Sequence, residues 1–230
     1  MKNKDKWGLF LIIIIVAVIA TIIVAITLKK DEHSENPSEK EEIFCLENNL
    51  CITEIGTYTG KYVEDGSDEA VSDVLMIKVL NKGEEAVEYA VLQFQLDNQI
   101  AEFTVSALMP GAEAVLLEKN RMSYDAEVDY TQTMVNCVNF ARYQYELTLY
   151  EKKLKIQVLN GGINVTNISG EDIEENITIY YKNKENGAFL GGIAYRISFE
   201  GGIESGEVRQ KMAKHLLENE SEILFVTMTK

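Results

Sequence analysis

The chain reads as an all-β protein, two tandem β-sandwich domains behind one N-terminal transmembrane helix. Three observations predict this. Residues Gly8 to Leu28 form a run of 21 positions without a charged side chain. From Ile52 onward the pattern changes to short alternating or β-branched runs separated by Gly, Asn and Asp, the mark of strands and turns. A turn pattern in the first of these stretches then returns in the second half of the chain.

At about 1.5 Å per residue the apolar run reaches ~31 Å as a helix, close to the hydrocarbon thickness of a bilayer. A cleaved signal peptide is the competing reading, but its apolar core would be shorter, roughly 7 to 15 residues, and followed by a small-residue cleavage site. Here Lys29-Lys30-Asp31 follows, with no Ala-x-Ala triplet and no Cys to carry a lipid, so a retained anchor is expected. Lys2, Lys4 and Lys6 precede the span and Lys29 and Lys30 follow it, a margin of one charge toward a cytoplasmic N-terminus. The expected organisation is a cytoplasmic tail (1–7), a span in contact with the lipid bilayer (8–28), an acidic linker (29–44), a first sandwich (45–151) and a second (152–230). Both sandwiches are expected outside the cell membrane.

From Asp31 onward the chain holds 17 of its 22 basic and 36 of its 37 acidic residues, 17 minus 36, a formal charge of −19. Affinity for nucleic acid comes mainly from Lys and Arg on phosphates, so no nucleic-acid partner is expected. A solvated acidic surface that keeps an exposed domain soluble explains the excess. Asp31 to Glu42 contains six acids, one Lys and a Pro, which cannot form a core and reads as a stretched spacer.

Strands are expected over Ile52 to Val63, Val74 to Leu80, Val87 to Leu96, Ile100 to Leu108, Ala114 to Glu118, Met134 to Phe140 and Tyr143 to Leu149. The second set is Leu154 to Leu159, Ile163 to Thr166, Ile177 to Tyr181, Ile193 to Phe199, Glu207 to Lys211 and Ile223 to Met228. Asp97-Asn98 reads as a tight hairpin turn.

The repeat aligns Ile77-Lys-Val79-Leu-Asn81-Lys-Gly83 with Ile163-Asn-Val165-Thr-Asn167-Ile-Ser-Gly170, one residue being inserted before the second glycine. Met109-Pro110-Gly111 then corresponds to Glu204-Ser205-Gly206. The offset grows from 86 residues at the asparagines to 95 at these last glycines, which calls for a longer hairpin around Asn183 to Leu190 in the second copy. Asn81, Gly83, Gly111, Asn167, Gly170 and Gly206 are therefore expected as structural turn residues, Gly83 and Gly170 with unusual backbone angles. The two copies should meet near Tyr150 to Lys153.

At these turns the chain resembles bacterial extracytoplasmic immunoglobulin-like domains of the kinds called FxLYD-type and CARDB-type. That resemblance implies two immunoglobulin-like sandwiches serving as a cell-envelope binding or spacer module, often attached to the membrane or wall of Gram-positive bacteria. It implies no catalytic residues.

Cys45 and Cys51 flank Leu-Glu-Asn-Asn-Leu before the first long strand, and a disulfide closing this loop competes with pairing of either to Cys137 and with free thiols. Cys137, between Val135 and Val138, reads most simply as a buried small hydrophobe. Three cysteines without Cys-x-x-Cys spacing and histidines at 33 and 215 do not make a zinc tetrad, and neither histidine sits in a nucleophile motif. Asp65-Gly-Ser-Asp68-Glu69 reads as an acidic inter-strand turn, calcium being the alternative. Asn164-Val-Thr166, Asn167-Ile-Ser169, Asn176-Ile-Thr178 and Asn219-Glu-Ser221 read as turn and strand chemistry. Tyr180, Tyr181, Phe189, Tyr195 and Phe199 are expected in the second core, an exposed aromatic recognition face being the alternative. No catalytic group, cofactor or metal is expected. The functional expectation is non-catalytic display for binding a protein or glycan, or for envelope organisation; a sensor or regulatory subunit of a membrane complex is the alternative.

Overall fold

The computed structural model describes residues 42–97 and 99–230. The expected tail, the span at 8–28 and the acidic spacer up to residue 41 lie outside the described residues. No helix among the described residues is long and apolar enough to cross a membrane. What is described is all-β, with one short 3-10 turn at Tyr130–Gln132.

The first half contains β1 (Phe44–Cys45), β2 (Leu50–Tyr62), β3 (Glu69–Asn81), β4 (Val87–Leu96), β5 (Gln99–Leu108), β6 (Glu113–Leu117) and β7 (Met134–Arg142). Its strands pair in the orders β1-β2-β3-β6 and β5-β4-β7. Alternation builds the core between these two layers: Leu75, Ile77 and Val79 from β3 meet Ala101, Phe103 and Val105 from β5, while Glu102, Thr104 and Ser106 point the other way. Phe94 and Phe103 meet edge to face at 5.6 Å in the middle of it. Each such side chain, fully buried, contributes about 1.5 to 3 kcal/mol.

The second half contains β8 (Leu154–Leu159), β9 (Gly162–Asn167), β10 (Asn176–Glu185), β11 (Ala188–Leu190), β12 (Tyr195–Phe199), β13 (Val208–Met212) and β14 (Ser221–Thr229). Strands β8-β9-β13 form one layer, and β12-β10-β14 pair as the other around a second core of Ile163, Val165, Ile177, Ile179, Ile197 and Phe199. Apart from β1 and β11, the halves share one pairing scheme: β2-β3-β6 over β5-β4-β7 corresponds to β8-β9-β13 over β12-β10-β14.

The extra length of the second copy is a hairpin. β10 turns at Asn186-Gly187, both in the left-handed region, into β11. Phe189 and Leu190 of β11 then pair in parallel with Ala114 and Val115 of β6, so one sheet runs from the first half into the second. Phe189 also enters the first core, and Leu190 packs with Tyr62, Val63, Val74, Met76 and Leu117 in a small cluster at the joint. Residues 42–230 form one compact unit.

Two expectations are corrected. Tyr143 to Leu149 is not a strand; among these residues only Thr148 makes a bridge, to Val226, because β7 continues through Arg142 and takes the pairing with β4. Gly83 does not have a positive φ, unlike Gly170 (+85°), Gly111 (+72°) and Gly206 (+77°). The constraint at Gly83 is space instead, since a Cβ there would stand 3.1 Å from Asn81 Oδ1.

Candidate binding surface

The repeated asparagines act as loop clamps. Asn81 and Asn167 are both buried at the ends of their strands. Asn81 Nδ2 donates to the carbonyls of Glu85 and Leu108, each at 3.0 Å, and its Oδ1 accepts the Gly83 N–H at 3.0 Å. Asn167 Nδ2 donates to Glu171 (2.7 Å) and Ile203 (2.9 Å), and its Oδ1 accepts the Ser169 N–H at 2.9 Å. The backbone follows the same scheme, with the Gly111 N–H on the Asn81 carbonyl and the Gly206 N–H on the Asn167 carbonyl. Each asparagine thus fixes the loop after its own strand against a distant Gly-led turn, satisfying backbone groups that burial would otherwise orphan.

In the first half the clamped loops form the wall of a cleft. Glu85, Ala86, Met109 and Pro110 face the connector residues Tyr143 to Leu147 across about 520 Å³. The disulfide loop supports the same wall. Cys45 and Cys51 are joined as a cross-strand pair of β1 and β2. Beside the bridge, Asn49 O accepts the Lys82 N–H at 2.9 Å and Asn48 O accepts Arg142 Nη2 at 3.3 Å. Arg142 Nη1 in turn donates to Glu85 at 2.8 Å. Closing so short a loop is worth about 2 kcal/mol in the chain-entropy account.

The other wall is aromatic. Tyr143 meets Tyr145 edge-on at 5.6 Å and Phe225 at 5.2 Å, and Phe225 stacks on Tyr180 at 4.4 Å. Phe225 is buried, whereas Tyr145 is 56% exposed at the open end of this row. Burial pushes the Tyr143 hydroxyl well above its ordinary range, so it stands as a neutral donor. A flat exposed ring backed by half-buried Tyr143 and buried Phe225, with Gln144 and Glu146 beside it, can stack on an apolar face while offering hydrogen bonds at the edge.

The joint between the halves is closed at one residue, Gly192, through both of its backbone polar groups. Gly192, just after β11, comes so close to the Thr104 carbonyl that any Cβ would overlap it. Its N–H is accepted by both Glu64 oxygens, at 3.0 and 2.9 Å. Its carbonyl accepts from Ser106 N (2.8 Å), Ser106 Oγ (3.1 Å) and Lys182 Nζ (3.1 Å). Glu64 Oε1 also accepts the Leu117 N–H at 2.9 Å. Burial raises the Glu64 carboxyl against the opposing pull of these N–H groups and of Lys182. Burial likewise pushes the fully enclosed Lys182 ammonium down to about 8, with Glu64 resisting.

The remaining singled-out residues have structural surroundings. Cys137 lies half-buried on β7 against the first core, and burial pushes its thiol up. Arg121 bridges Asp65 (2.9 Å) and Glu69 (2.6 Å) across the acidic turn, and hydrogen bonds from Ser67, reinforced by Arg121, hold the Asp65 carboxyl down to about 2. His215 Nδ1 stands 3.2 Å from Asp68 and its ring stacks on Tyr195 at 4.8 Å, tying the two halves. No hydroxyl or thiol bonds to this histidine among the described residues. Tyr181, Phe189 and Phe199 are buried, while Tyr180 and Tyr195 are half-buried, Tyr195 packing against the second core.

Sequence reasoning passed over Tyr143, Tyr145, Glu64 and Lys182. Alternation along β10 sends Tyr181 into the second core and Lys182 to the opposite face, and nothing in a local pattern says that the first half covers that face. No family model, curated protein or solved structure matches the chain.

Proposed function

We propose that the chain is a non-catalytic, single-pass membrane protein that displays two tandem immunoglobulin-like β-sandwiches outside the cell membrane, where they bind a protein or glycan or organise the envelope. Residues 8–28 would serve as the membrane helix, with the N-terminus in the cytoplasm and the acidic linker as spacer. The duplicated scheme of β2-β3-β6 over β5-β4-β7 supports the immunoglobulin-like reading, since a chain that crosses between two antiparallel layers in this order builds such a sandwich. The observation that carries the function is the cleft: an exposed ring on a row of packed aromatics, opposite loops held by Asn81, with the disulfide loop as buttress.

The test uses the full chain in detergent and cell-wall glycan fragments as the probe. The parent is expected to bind them, and the double variant Tyr143→Ala, Tyr145→Ala to bind on the order of tenfold more weakly or worse, as expected for losing stacked anchors. Equal binding by parent and variant, with melting temperatures matched, would count against the cleft.

A further inference from the structure

A second site lies away from this cleft. Where β12 and β13 end the two layers of the second half, a groove of about 390 Å³ opens between them. Arg196, Ser198, Lys211, Lys214, Tyr195 and His215 line it, and no Asp or Glu does. The chain has 37 acidic residues against 22 basic ones, so a wall of three cations without a carboxylate reverses the character of the molecule.

These cations are also poorly used by the fold. Of the four arginines among the described residues, Arg121, Arg142 and Arg209 make ion pairs and Arg196 does not. The Arg196 guanidinium and the Lys214 ammonium have no protein partner among the described residues, and both side chains are exposed. Lys211 Nζ donates to the Ser198 carbonyl at 2.8 Å, which holds the ammonium at the groove while leaving two of its protons free. One wall is rigid, because the Tyr195 ring is stacked between Tyr181 (5.4 Å) and His215 (4.8 Å). Asp68 pairs with His215 and marks the acidic end beyond this wall.

The geometry points to a binding site for phosphodiester groups in the groove between β12 and β13. Arg196 presents a planar fork that suits two phosphate oxygens, and Lys211 and Lys214 add point charges in the same groove. The volume fits one or two such groups rather than a folded partner, and the groove is open to solvent, so a phosphodiester chain can continue beyond it. The same chemistry is offered by an anionic lipid headgroup and by a soluble polyol-phosphate chain.

The experiment uses the full chain in phosphatidylcholine nanodiscs, titrated with a soluble polyglycerol-phosphate oligomer, and in parallel a vesicle-flotation assay with phosphatidylglycerol vesicles. The double variant Arg196→Gln, Lys214→Gln is expected to weaken binding on the order of tenfold or more, from the loss of charge-assisted hydrogen bonds. Lys155→Gln, which removes an exposed charge elsewhere on the second half, should leave binding unchanged. Loss in the oligomer arm assigns a free polymer; loss confined to the vesicle arm assigns a lipid headgroup. The proposal is overturned if neither probe binds, if the double variant binds as tightly as the parent, or if polyglutamate of equal charge binds as well as the phosphodiester. Matched melting curves for all variants separate these results from misfolding.

Discussion

Replacing Asn81 with Ala is expected to destabilise the chain by about 3 kcal/mol, because three backbone groups, two of them in buried hydrogen bonds, lose their partner together. The carbonyls of Glu85 and Leu108 and the N–H of Gly83 all depend on that one side chain. Asn167→Ala should cost less, roughly 2 kcal/mol, since the Ser169 hydroxyl already donates to the Glu171 carbonyl at 2.8 Å and continues to do so in the variant. Urea unfolding measures both. Losses within about 0.5 kcal/mol of zero, the level of an ordinary surface change, would show that the asparagines are not the clamps of their loops. Asn81→Ala should also loosen the Glu85 and Met109 side of the cleft, so ligand binding should fall with stability.

Between pH 7.5 and 9.5 the stability of the parent is expected to rise with pH. The Lys182 ammonium is pushed down from 10.5 to about 8 in the folded chain. Above pH 8 the unfolded chain therefore binds a proton that the folded chain has released, and stability grows until about 10.5; below pH 8 both states are protonated and the full cost of burying the charge remains. At about 1.4 kcal/mol for each tenfold change in proton affinity, the span is roughly 3 kcal/mol. Tyr62, Tyr181 and Tyr195 are pushed up to about 12, so they favour the folded chain at lower pH and lose that contribution as pH climbs from 10 toward 12, which sets the upper limit of the window. Lys182→Met should flatten the profile and be at least as stable at pH 7, because Ser106 still donates twice to the Gly192 carbonyl. A flat parent profile, or an unchanged slope in Lys182→Met, would remove the buried ammonium from the account of the joint.

The strands that sequence places best are those whose side-chain alternation is enforced by a two-layer core. Val87–Leu96 and Leu154–Leu159 fall at the expected residues, and the longer hairpin implied by the growing offset of the repeat is β10–β11. The asparagines were legible because a buried amide that closes two loops needs the same residue in both copies. What stayed hidden is non-local. β1 and β11 are two and three residues long, too short for a period, and form because a disulfide hairpin and the edge of β6 receive them. Tyr143 to Leu149 alternates like a strand because Tyr143 lies on Phe225 and Leu149 on the second core, although its backbone contributes only the Tyr143 N–H to the Ala86 carbonyl and the bridge at Thr148. Nothing local to Gly191-Gly192 says that Gly192 must stand against the Thr104 carbonyl. No local pattern announces that a glycine from one half will sit with its N–H on a Glu and its carbonyl on a Lys.

Display outside the cell membrane is the claim on which the functional reading stands, and protease added to intact cells tests it most directly. The linker near Glu39 is acidic and carries no strand or helix signal, so it is the expected cleavage point. The account predicts release of a soluble fragment containing both sandwiches from unbroken cells, recognised by its mass. Protection of the linker in intact cells, with cleavage only after lysis, would contradict it and place the sandwiches on the cytoplasmic side.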